Sequence, residues 1–189
     1  MDAAAPLASA VGRWHDFYLL TGTAAATLMG LLFVGLSLHL DEIAGEGRAH
    51  IKVIARDAFA SFLIVLFVSL LMLAPALRPR PLDTALLGLG VVRVLQIAFG
   101  LRRSLADGGR GREFSRGYVV ARVLMPLFGG AMMALAGATL LRGNAEDGLA
   151  ELMLACVLLI GDATRCAWDL MVRVGRMLRH PGAGAGPRR

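Results

Sequence analysis

Between residues 149 and 172 an otherwise apolar stretch holds Glu151, Asp162, Arg165 and Asp169. On a helix turning 100° per residue, Glu151, Asp162, Asp169 and Arg173 fall within about 40° of one another, with Arg165 and Cys166 beside them. A carboxylate there is a proton acceptor, a cation ligand or half of an ion pair. In lipid such a stripe must face the bundle interior, water or an opposite charge.

The opposite charge on offer is Arg93, midway along the apolar stretch 84 to 101, with Gln96 one turn further on the same face. Counted inward from Arg102 and Arg173 at 1.5 Å per residue, Arg93 lies about 13 Å deep, Arg165 about 12 Å and Asp162 about 16 Å. These depths predict a cluster of Arg93, Gln96, Asp162 and Arg165, with Asp169 nearer the surface. The cluster reads either as an interhelical ion-pair network or as an ion or proton path, with a substrate counter-charge as a variant of the second reading. Other chemistry is thinly represented. No Gly-x-Ser-x-Gly or His-Glu-x-x-His motif occurs, the thiols have no His near them, and no two of the four His have ligand spacing, so no catalytic residue, metal or other cofactor is expected.

A second polar group gathers at the ends of the apolar stretches: His39, Asp41, Arg56, Asp57 and Arg122. Long side chains there reach the water interface, and Arg56 beside Asp57 marks such a boundary. Pro126 removes the amide that would bond the carbonyl of Arg122, which predicts a kink or a freed carbonyl.

The elements that must carry these residues follow from composition. With 57% hydrophobic and 18% charged residues among 189, and a mean hydropathy of +0.64, the chain departs from both soluble globules and disordered segments. Five stretches are long enough to cross about 30 Å of hydrocarbon: 17–40, 58–77, 84–101, 119–141 and 149–172. Period-2 alternation is absent, so the expected fold is all-α, a polytopic integral membrane helix bundle of five transmembrane helices. The expected organisation is an extracytoplasmic segment 1–16, a bundle 17–172 and a basic tail 173–189. The N-terminus lacks a basic stretch followed by a cleavage site, so the first span is expected to be retained.

Basic residues set the orientation. Thirteen fall on the side of the 41–57 loop, the 102–118 loop and the tail, against four on the other side. The positive-inside rule then puts the N-terminus outside and the C-terminus in the cytoplasm. Trp14, Phe17 and Tyr18 are expected in an outer aromatic belt, with Tyr118 and Trp168 near the inner interface. The basic character is topological and does not imply nucleic acid; Arg102, Arg103, Arg110, Arg112, Arg176 and Arg179 are expected to meet anionic headgroups of the bilayer. The link RPRPLD at 78–83 predicts that the second and third helices are antiparallel neighbours.

Small residues at four-residue spacing mark packing ridges: Gly22, Ala26 and Gly30 in the first helix, Gly130, Ala134 and Ala138 in the fourth. They serve packing within the chain, a homo-oligomer or a membrane protein partner. Cys156 and Cys166 lie about 15 Å apart along one helix, too far for a disulfide.

The first helix, WHDFYLLTGTAAATLMGLLFVGLSLHLDEI over residues 14 to 43, carries a further pattern in Phe17, Gly22, Ala24, Ala25, Ala26, Leu28, Gly30, Leu31, Phe33, Val34, Ser37 and Leu38. It resembles the opening of a group of uncharacterised bacterial multi-pass membrane proteins, and covers about a sixth of the chain. The resemblance implies a bacterial inner-membrane location and carries over no site residue. The functional expectation is a non-enzymatic scaffold or regulatory membrane component. The alternatives are a small oligomeric ion or proton channel or carrier, and a lipid- or quinone-modifying enzyme with a pocket beside Asp162 or Arg165.

Overall fold

A computed structural model of the chain describes residues 4–38, 49–74, 79–106 and 116–179. The described residues form five helices: α1 Ala4–Ser37, α2 Ala49–Leu73, α3 Pro79–Ala106, α4 Arg116–Leu141 and α5 Ala145–Arg179. The architecture is all-α. Four helices contain segments long and apolar enough to cross a membrane, Gly12–Ser37, Lys52–Leu73, Pro81–Arg102 and Val123–Leu141. The helices outrun the apolar stretches because hydropathy marks the lipid-length part of a helix and not its ends. The Ala-rich start of α1 is a strong helix former.

The extensive helix pairs are α1 with α2, α1 with α5, α2 with α5, α4 with α5, and α3 with α4. Thus α5, the helix richest in charge, is central, while α3 packs extensively only on α4. The expected packing of α2 against α3 is corrected by this arrangement, because glycines draw α3 to α4 instead. A methyl group at Gly90 would sit 2.7 Å from the Ala134 Cα, and one at Gly137 would sit 2.8 Å from the Leu87 Cα. Only glycine allows backbones so close.

The turn between α4 and α5 is tightly specified. Gly143 adopts a φ of 85°, its amide bonds the Leu140 carbonyl at 2.9 Å and the Asn144 amide bonds the Thr139 carbonyl at 3.2 Å. This pair of bonds closes α4 as a Schellman motif. Asn144 then opens α5: its carbonyl accepts from Gly148 and its side-chain amide donates to Asp147 at 2.7 Å. Glu146 and Asp147 lie in the first turn, where the helix dipole favours them, and Glu146 pairs with Arg13 of α1.

The core runs between the inward faces of α1, α2, α4 and α5, with Tyr18, Phe62, Val65, Met133, Leu152 and Leu159 fully enclosed. Tyr18 is 0% exposed, so it leaves the expected aromatic belt and lies inside the bundle. It packs edge-on against Phe17, which packs edge-on against Trp14.

Candidate functional site

Helix α5 is inverted relative to a helix in water. Between residues 150 and 171 its exposed positions are Ala150, Leu154, Val157, Thr164, Trp168 and Met171, and none is charged. Over the same stretch Asp162 is buried, while Glu151, Arg165 and Asp169 are half-buried. The charges therefore sit on or beside the face that meets α1, α2 and α4.

At the centre of that face the Arg165 guanidinium donates to Asp162 Oδ1 at 2.7 Å. Asp162 is 2% exposed. The thiol of Cys166, one turn on, is directed at the same oxygen at 4.0 Å. Arg93 enters from α3 and is 5% exposed. Its stem passes Gly130 of α4, where a methyl group would lie 3.2 Å from the Arg93 Cγ, and its guanidinium donates to Ser61 of α2 at 2.8 Å. Arg93 and Asp57 both lie within electrostatic range of Asp162, and Asp169 within range of Arg165.

The cluster thus unites Arg93, Asp162, Arg165, Asp57 and Ser61 from three helices, with Asp169 at its edge. Two expectations are corrected. The direct partner of Asp162 is Arg165 and not Arg93, because an i,i+3 pair on one helix meets without crossing the bundle, whereas Arg93 finds Ser61 on its way in. Gln96 is exposed and outside the cluster: three residues turn 300°, which swings it to the flank of α3 that α4 does not cover.

The remaining residues divide. Arg56 and Arg102 are exposed. His39, Asp41, Arg110 and Arg112, and the side chains of Arg103, Arg122, Arg176 and Arg179, lie outside the described residues. Gly22 is buried where a methyl group would lie 2.8 Å from the Ser69 Cβ of α2. Ala26 and Gly30 are exposed. The first-helix ridge splits because a four-residue step overshoots a full turn by about 40°, so eight residues carry it off the α2 contact. In α4, Gly130 and Ala134 both face α3, against Arg93 and Gly90.

Sequence reasoning passed over Ser61, Asp83 and the Thr21–Ser69 hydroxyl pair at 3.3 Å. Ser61 had a signal, since it follows Asp57 by four residues and so shares its face. Several buried atoms have no hydrogen-bond partner among the described residues: Tyr18 Oη, Asp83 Oδ1, Arg93 Nε, Glu151 Oε2 and Arg165 Nε. An open hollow of about 280 Å³ at the α4–α5 turn, lined by Thr139, Arg142, Gly143 and Asn144, lies far from Asp162. From Asn144 to Asp162 is about 27 Å along α5. Among the described residues, no group of three or more His, Cys, Asp or Glu is placed to hold a metal ion.

No family model, curated protein or solved structure matches the chain.

Proposed function

We propose that the chain is a non-enzymatic integral membrane protein of the bacterial inner membrane, with five spans, its N-terminus outside and its C-terminus in the cytoplasm. Its role is that of a scaffold or regulatory component that presents a fixed helical surface to the bilayer, to another membrane protein or to a second copy. The observation that carries this reading is the inversion of α5: an uncharged surface over the 22 residues from 150 to 171, with its carboxylates turned inward. That stretch spans about 33 Å, the thickness of a hydrocarbon core. A helix in water places its charges the other way round.

The arrangement of charge supports a structural role. Asp162 is enclosed and bonded to Arg165, and Arg93 ties α3 to α2 through Ser61. The first contact neutralises a buried carboxylate within α5, and the second holds two helices together where the hydrophobic effect does not operate between them. The rival reading, an oligomeric ion or proton channel, draws on Glu151 Oε2 and Tyr18 Oη, buried on the outer half without partners among the described residues.

The two readings separate in proteoliposomes under imposed pH and voltage gradients, with Asp162→Asn alongside. The scaffold reading expects no flux from either well-folded protein. Flux in the parent that disappears in a folded Asp162→Asn variant overturns it.

A further inference from the structure

The polar groups around Asp162 become more exposed toward one end of the bundle. Arg93 and Asp162 are enclosed, the Arg165 side chain is 25% exposed, and Asp57 and Asp169 are half-buried. Next to Asp57, Arg56 is exposed. Asp169 lies about 10 Å from Asp162 along α5, toward the end that carries the C-terminus.

Two charged donors in this column, Arg93 Nε and Arg165 Nε, are buried without an acceptor among the described residues. A guanidinium N–H in lipid surroundings is costly unless something accepts its hydrogen bond. The acceptor must be small, because the interior is close-packed. It must also be uncharged, because a further anion would meet Asp57, which lies within electrostatic range of Asp162, and Asp169, within range of Arg165. Water meets both conditions, and Ser61, Asp162 and the two arginines supply the several polar contacts that a bound water needs.

We propose that water enters the bundle from the end that carries the C-terminus and reaches Asp162, so that the inner half of α5 is hydrated. The path stops below Cys156. There Cys156, Leu152 and Leu159 are fully buried, as is Tyr18, which lies within electrostatic range of the thiol. One phenol and one thiol among leucines offer too few partners to hold a water. Glu151, half-buried and nearer the other end, is reached from the opposite side. This inference rests on the reading of α5 as a membrane span.

The two cysteines are built-in reporters, since both are buried and neither is in a disulfide. Cys166 lies in the column at 3% exposure, and Cys156 lies beyond its end at 0%. The experiment follows the S–H stretching band of the full chain in liposomes by infrared spectroscopy after transfer to D2O. The parent protein should lose half of the band quickly and half slowly, with rates differing on the order of tenfold or more. Cys166→Ala should remove the fast half and Cys156→Ala the slow half. A single rate in the parent, or a faster Cys156, overturns the proposal. The contrast is internal to one protein, so it stands or falls apart from the flux experiment and from the assignment of the two faces.

Discussion

The Arg93 guanidinium donates to the Ser61 hydroxyl at 2.8 Å, joining α3 to a helix against which it does not pack extensively. A hydrogen bond to a charged group contributes about 2 kcal/mol. Ser61→Ala should therefore lower the detergent melting temperature measurably, and Arg93→Met should lower it as well. In a double-mutant cycle the two losses should be less than additive. Full additivity would mean that the bond contributes nothing.

The pairing of Asp162 with Arg165 makes an asymmetric prediction. Arg165→Leu leaves an enclosed carboxylate without its direct partner and should destabilise the protein by roughly 3 kcal/mol, whereas removing both charges together is far less costly. Thermal melts should place Asp162→Leu/Arg165→Leu closer to the parent than Arg165→Leu alone. A double variant worse than either single one contradicts the pairing.

Glycine at the α3–α4 contact should be indispensable in a way that glycine elsewhere is not. At Gly90 a methyl group meets the Ala134 backbone, and at Gly30 it meets nothing within 4 Å. Gly90→Ala should cost about 1–3 kcal/mol through forced separation of the helices. Gly30→Ala should match or slightly exceed the parent, which melting curves will resolve. Equal effects at the two sites would count against the close crossing.

Orientation has its own test. A cysteine at position 109, in a background lacking Cys156 and Cys166, should react with a membrane-impermeant reagent only when the cytoplasmic face is accessible. Labelling in intact cells reverses the topology.

Which parts of this were legible in the sequence follows from the physics of each signal. Hydropathy and the absence of period-2 alternation specify an all-α fold, because length and composition alone set whether a helix can cross lipid. The angular clustering of Glu151, Asp162 and Asp169 identifies one face of α5, because helical periodicity is local. Partner choice is not local. Whether Arg93 meets Asp162 or Ser61 depends on where α3 sits, and that is decided by Gly90 and Gly137 meeting Ala134 and Leu87. The same dependence hid the central position of α5, and it placed Tyr18 in the core although its neighbours in sequence suggested an interfacial belt.

The proposed role requires α5 to lie in the membrane with its charges inward. A nitroxide scan from Ala150 to Met171 in liposomes, read for collisions with oxygen and with a water-soluble relaxation agent, tests this directly. Oxygen accessibility should peak at Leu154, Val157, Thr164, Trp168 and Met171, and fall at Leu159, Ala163 and Cys166. High accessibility to the water-soluble agent at Leu154 and Val157 would contradict the account, since it would put the outer face of α5 in water.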